Sequence, residues 1–283
     1  MGHVVKGQLK DYWSQDPLLY ILIYGESLSQ NRYLQILRYL HFFNNEEVSN
    51  HPLKKIKLVM DHLKEKFGNT IIAGEKLCIG ESLVLWKEKL KFKQFVPLKR
   101  HRFGMKIFEL ADCETGFLLD FIVYTGSDTD YEKFDLSVSG DIVAHFMQPY
   151  CNEGRVLYTD NWYTSPQLSD YLHDRNTGLC ETVKDNRKEM PTLSSKLDRG
   201  KTKVAHTDSW IVIKWMDKKE VYVLTSIHEH QFCTTVRKNY KTNKDIIKPI
   251  CIVDYNKKMG KIDDINRQFT THDRHLVYSQ SMI

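Results

Sequence analysis

Near Leu77 the apolar residues of this chain change period, and that change sets the fold class. Before it, Tyr33, Ile36, Leu37 and Leu40 fall at i, i+3, i+4 and i+7. Ile56, Val59, Met60, Leu63 and Phe67 then share one helical face, with Lys54, Lys55, Lys57, Lys64 and Lys66 around the rest. Each stripe predicts a helix with one face on a core, the second stopped at Gly68-Asn69. From Leu77 onward three β-prone runs follow, Leu77 to Trp86, Met105 to Ala111 and Phe117 to Tyr124. Asp112-Cys113-Glu114-Thr115-Gly116 has the residues of a hairpin turn between the last two.

A helix fits Asp141 to Tyr150, then a strand at Arg155 to Thr159, then a helix with Ser165 as N-cap and Pro166 at its first position. That order predicts α/β organisation around a mixed sheet, its first three strands antiparallel. After Val183 the chain turns basic and turn-rich, and β-like runs return at Ser209 to Trp215 and Glu220 to Ser226. Residues 185–250 read as an insertion or subdomain, and the last twenty residues are too weakly patterned to assign.

At 283 residues and 41% apolar, the chain can bury one large core or two small ones. The net charge of +5 permits a polyanionic partner without requiring one. The longest early apolar stretch, Leu18 to Tyr24, is seven residues, which argues against a membrane span or a signal peptide. Lys6 stands where a myristoylation motif needs Ser or Thr. Six scattered cysteines with no C-x-x-C pair read as reduced thiols of a cytosolic or nuclear protein.

Asp160 ends a predicted strand just before a helix N-terminus, where ligands and metals bind in α/β sheets. It has two readings on position alone, a divalent-metal ligand and a cap of its own turn. Trp162 and Tyr163 beside it read as packing residues. His228-Glu229-His230 is too closely spaced for helical zinc geometry and reads as a loop.

The string Thr159-Asp160-Asn161-Trp162-Tyr163-Thr164-Ser165 resembles the second catalytic motif of piggyBac-type transposases. Further ordered matches flank it. Asp11 to Leu19, Asn31-Arg32-Tyr33 and Leu40-His41-Phe42 resemble that family's N-terminal helical segment. Phe95 to Lys99, Gly104 to Ile107, Thr115-Gly116-Phe117 and Val123 to Gly126 resemble its first sheet. Thr182-Val183-Lys184, Asn186-Arg187-Lys188 and Pro191 resemble its basic motif, and Asp254 to Asp263 its third catalytic motif. The resemblance implies an RNase H-like mixed sheet interrupted by a β-rich insertion and preceded by a helical N-terminal segment. The implied division is a piece of the dimerisation and DNA-binding region over 1–70, the first part of the catalytic domain over 71–184, the insertion over 185–250 and a truncated remainder over 251–283. Active members hold two Mg²⁺ ions with three aspartates for in-line phosphoryl transfer.

Two of those aspartates carry over, Asp160 and Asp263, as remnant catalytic and weak metal positions. The first is replaced: the family's Asp-Glu pair falls on Gly80-Glu81, and glycine offers no ligand. Glu81 points to the opposite face of its strand unless a bulge turns it inward. A further acidic position of the family is Asn266, and Asp264 projects about 100° from Asp263 on a helix. Glu181 stands where the family has glycine, and is expected to put an anion where a DNA phosphate approaches. The chain also ends twenty residues after Asp263, earlier than the family, so recognition of transposon ends is not expected.

The basic residues suit phosphate contacts with interleaved aromatics: Lys89, Lys91, Lys93, Lys99, Arg100 and Arg102, and the smaller cluster Lys184, Arg187 and Lys188. Read without the resemblance, the longer run is equally a solvated strand edge blunted by lysine. The expectation is a degenerate or domesticated DDD transposase, nuclear, binding DNA nonspecifically, without transposition activity and without a retained Mg²⁺. A homodimer follows from the N-terminal resemblance, against which stands the incompleteness of that region. The alternatives are a residually active Mg-dependent nuclease using Asp160, Asp263 and Glu81, and a protein-interaction module or unselected relic.

Overall fold

The computed structural model describes residues 4, 6–86, 89–97, 102–193, 196–238, 243 and 245–272; within these, the side chains of 236–238, 263 and 266–272 fall outside the description. The chain divides into two compact units, Met1–Lys66 with Asn266–Ile283, and Phe67–Ile265.

In the first unit a 3₁₀ turn, Leu9–Trp13, leads into α1 (Leu22–Ser27) and α2 (Gln30–Tyr39), and α3 (Lys57–Thr70) begins here. Tyr12 is buried and meets Tyr24 edge to face at 4.9 Å, and Trp13 Nε1 donates to the Leu28 carbonyl at 2.6 Å. Ser29 caps α2 by accepting from Arg32 N–H. Both predicted helices form, but their stripes do not bury: Ile36 is 44% and Leu63 40% exposed. A small unit holds too few apolar side chains to cover every stripe.

The second unit is built on a nine-stranded sheet in the order β2-β3-β1-β5-β6-β9-β8-β7, with β4 also paired to β3. The strands are β1 (Lys76–Leu85), β2 (Gln94–Phe95), β3 (Phe103–Asp112), β4 (Leu118–Val123), β5 (Val156–Thr159), β6 (Gly178–Thr182), β7 (Thr202–His206), β8 (Ile211–Met216) and β9 (Glu220–Thr225). β1, β3 and β4 are antiparallel, as the turn chemistry predicts, while β5 and β6 run parallel to β1. β7 to β9 lie inside the range read as an insertion, yet β9 pairs with β6 and the three strands extend the same sheet. β10 (Phe232–Lys238) and β11 (Asp245–Pro249) form a separate two-stranded sheet. β6 escaped the sequence reading, because Gly178–Thr182 carries only two apolar residues.

Strand alternation splits the core into two faces. Leu77, Ile79, Phe108, Leu110, Leu157 and Leu179 pack with α4 (Val138–Met147) and α5 (Pro166–His173). Cys78, Ala111, Tyr158 and Cys180 face the other way and pack with Cys251, Ile252, Ile262 and Ile265 of α6 (Ile250–His272). Each fully buried Leu or Ile contributes about 1.5–3 kcal/mol. Ser165 and Pro166 open α5 as expected, with Ser165 Oγ accepting from Leu168 N–H at 3.2 Å.

The β3–β4 turn is fastened by Asp112, which is almost wholly buried. Its Oδ1 accepts from Thr115 N–H (2.7 Å), Thr115 Oγ1 (2.8 Å) and Glu114 N–H (3.0 Å), and its Oδ2 from Gly74 N–H (2.8 Å). Gly116 follows at φ +71°, a backbone conformation that favours glycine. No helix among the described residues is long and apolar enough to cross a membrane.

Candidate functional site

β1 and β5 pair in parallel with Ile79 opposite Thr159, so Gly80 and Asp160 follow side by side. Cys78 and Tyr158, two residues earlier, face α6, and alternation places positions 80 and 160 on that same side. α6 runs across this face and carries Asp263, whose side chain lies outside the described residues. Gly80 and Asp160 thus lie next to each other, and Ile262, the residue before Asp263, packs on position 80.

Position 80 is closed by packing. A Cβ built on Gly80 would lie 2.6 Å from Cγ2, 3.2 Å from Cγ1 and 3.3 Å from Cβ of Ile262. Ile262 is 4% exposed and belongs to the core under α6. Across β1–β3, Gly80 stands opposite Glu109, itself fully buried, whose Oε1 accepts from Ser82 Oγ at 2.5 Å.

Asp160 acts as a cap of its own turn. Its Oδ1 accepts from Trp162 N–H at 2.8 Å, and its carbonyl accepts from Tyr163 N–H (3.2 Å) and Thr164 Oγ1 (2.9 Å). Tyr163 donates its phenol to the Gly80 carbonyl at 3.0 Å, joining the turn to β1.

Glu81 does not turn inward. The β1–β3 register runs unbroken from Leu77 opposite Asp112 to Leu85 opposite Gly104, with no bulge. Its carboxylate lies on the α4–α5 side, 2.5 Å from Lys106 Nζ, and that ammonium sits 4.7 Å from the Phe108 ring and 4.4 Å from the Trp162 ring. Trp162 stacks on Phe108 at 5.4 Å, in keeping with a packing role. Asp264 lies on α6 next to Asp263, and the side chain of Asn266 is outside the described residues.

Glu181 corrects an expectation. It does not meet solvent: it is fully buried in β6 beside Thr159. Burial pushes its carboxyl up to about 7, and the Asp160 charge adds to the rise. The Thr164 and Thr159 hydroxyls offset this only in part, since Thr164 gives its proton to the Asp160 carbonyl.

Arg187 is tied to the Asp160 turn. Its Nη2 donates to the carbonyls of Asn161 (2.9 Å) and Trp162 (2.7 Å), clamping the Asp160 turn from the loop after β6. Lys184 and Lys188 are exposed, Lys188 at 3.5 Å from Glu189. Together with Ser137 and Ser139 at the start of α4, Lys184 and Arg187 border a groove of about 520 Å³. Lys89, Lys91 and Arg102 are exposed and Lys93 is half-buried, while Lys99 and Arg100 lie outside the described residues.

Sequence reading missed the pins that hold α6. Tyr158 donates to Asp254 Oδ2 at 2.5 Å, His228 Nε2 lies 3.3 Å from the same oxygen, Tyr255 and Thr182 hydroxyls meet at 3.3 Å, and Lys258 pairs with Glu114. Burial holds His228 below its usual range, against the pull of Asp254. His228-Glu229-His230 is a loop, as read from its spacing.

A family model described as transposase IS4 matches residues 1–282. PiggyBac transposable element-derived protein 2 of Homo sapiens is 21% identical over 285 residues, covering 96% of this chain and 48% of that protein. The chain belongs to the piggyBac transposase family. A piggyBac transposase in a synaptic complex with hairpin DNA shares its fold, with a TM-score of 0.77 at 20% identity over 94% of this chain and 55% of that one. This piggyBac-family chain therefore spans about half the length of these relatives, and its mixed α/β sheet is that of the RNase H-like fold.

The two-ion arrangement that the family implies does not fit these residues. At position 80, where the resemblance puts the first carboxylate, a side chain would meet Ile262, and Glu81 is paired with Lys106 on the other face.

Proposed function

We propose that this chain is a domesticated or degenerate piggyBac transposase that binds DNA and does not cut it. The observation that carries the reading is the contact of Ile262 with Gly80, which puts hydrocarbon where a bridging carboxylate would stand. Loss of that carboxylate removes charge from both ions of a two-metal mechanism, so Mg²⁺ is not a retained cofactor in this reading. Phosphate contacts are assigned to Lys89, Lys91, Lys93, Arg102, Lys184 and Lys188, with Lys99 and Arg100 in the same run. Arg187 is assigned to holding the Asp160 turn. The relative in complex with hairpin DNA supports a DNA partner, and a nuclear location follows from that partner. Self-association as a homodimer belongs to the same reading, through the N-terminal segment.

The test is anisotropy of a labelled duplex across a salt series, followed by a nicking assay in Mg²⁺ and Mn²⁺. The reading requires binding that weakens steeply with salt and strands that stay intact. Residual nuclease activity through Glu81 is disfavoured by its ion pair with Lys106. An interaction module or relic would show no binding even at low salt.

A further inference from the structure

At one end of the large sheet, β2 and β3 set two phenylalanines against each other. Phe95 and Phe103 are register partners, with ring centroids 4.8 Å apart and planes tilted by 36°. They remain 54% and 51% exposed. A cross-strand aromatic pair stabilises a hairpin by about 0.2–1 kcal/mol. That gain does not require leaving half of each ring in water at the β2 edge of the sheet, where apolar surface invites aggregation.

Apart from Glu88, the charged residues next to them in sequence are basic. Lys89, Lys91 and Arg102 are exposed, and Lys93 Nζ stands 5.6 Å from the Phe103 ring centroid. Residues 89–97 and 102–104 contain no Asp or Glu. Cations alone serve a duplex, which offers phosphates and hides its bases. Cations around exposed aromatic faces serve a single strand, which offers both. We propose that the Phe95–Phe103 hairpin is a platform for single-stranded DNA, with bases stacking on the two rings and Lys89, Lys91, Lys93 and Arg102 holding the phosphates. The proposal rests on the DNA-binding reading and narrows it to a substrate class.

The test compares a labelled oligothymidine with a duplex of equal length, using the full chain and its Phe95→Leu, Phe103→Leu, Phe95→Tyr and Lys91→Gln variants. Leucine keeps apolar bulk and the cross-strand contact but has no π face, and melts of each variant check that the hairpin survives. Each leucine variant is expected to weaken single-strand binding by about 5- to 100-fold, with duplex binding and the salt slope unchanged. Phe95→Tyr should bind as wild type, and Lys91→Gln should lower the single-strand salt slope by about 0.7. If the single strand binds no tighter than the duplex and the leucine variants match wild type, the platform is overturned while DNA binding stands. Absence of binding to either form at low salt overturns both.

Discussion

Ile262 Cγ2 lies 2.6 Å from where a Cβ on Gly80 would sit, so the helix bearing Asp263 rests directly on position 80 of β1. Glycine here admits the helix where a side chain would clash. The two residues are therefore coupled, and restoring the carboxylate alone forces an anion into hydrocarbon.

Gly80→Ala should lower stability by about 1–3 kcal/mol through overpacking, and Gly80→Asp by more, because its charge would be buried beside Ile262. Ile262→Ala alone should cost about 2–5 kcal/mol as a cavity. In the double variant Gly80→Ala/Ile262→Ala the losses should be less than additive by more than about 0.5 kcal/mol. Urea melts of the four proteins measure this, and strict additivity would show that the two side chains do not compete.

Glu181 should make stability fall as pH rises. Its folded value of about 7 lies above its ordinary 4.5, so the folded state holds the proton longer than the unfolded chain. Its contribution is intact below about pH 4.5, declines up to about pH 7 and is flat above, a loss on the order of 3 kcal/mol. Glu181→Gln should remove that slope and raise the melting temperature at pH 8. Parallel pH profiles for the two proteins would contradict it.

Asp112 should behave with the opposite sign. Burial works to raise its carboxyl, but the donors at Thr115, Gly74 and Glu114 outweigh burial and hold it below its ordinary value. Its contribution is present above about pH 4 and is lost as pH falls through the lowered value. Asp112→Ala should cost about 2–4 kcal/mol at neutral pH, since four donors lose their acceptor, with the loss read from urea melts.

Arg187 and Lys188 are neighbours in sequence, but Arg187 is bonded to the Asp160 turn while Lys188 is exposed. Arg187→Ala should destabilise by about 1–3 kcal/mol by freeing two carbonyls of the Asp160 turn. Lys188→Gln should leave stability unchanged and lower the duplex salt slope by about 0.9. Equal effects of both on the salt slope, with no change in melting, would return Arg187 to the phosphate contacts.

What the sequence made legible follows local chemistry. The period change at Leu77, the Asp112 turn and the Ser165-Pro166 helix start each rest on residues a few positions apart, and all three appear in the structure. Alternation along β1 also placed Glu81 away from position 80 correctly. The burial of Glu181, the clamp by Arg187 and the filling of position 80 by Ile262 depend on strands and helices distant in sequence. Ile262 is separated from Gly80 by most of the domain, and no spacing rule links them. The stripes of α2 and α3 show the converse, since amphipathic spacing specifies a helix without specifying what covers it.

The most direct test of the proposal that this chain binds DNA without cutting it uses wild-type chain and labelled duplex at a salt concentration where anisotropy shows the complex formed. Mg²⁺ or Mn²⁺ is then added and the strands are resolved on a denaturing gel. Intact strands from a bound complex are the predicted result. Nicked strands from wild type, absent with Asp160→Ala, would contradict the account and show that the site still holds its metals.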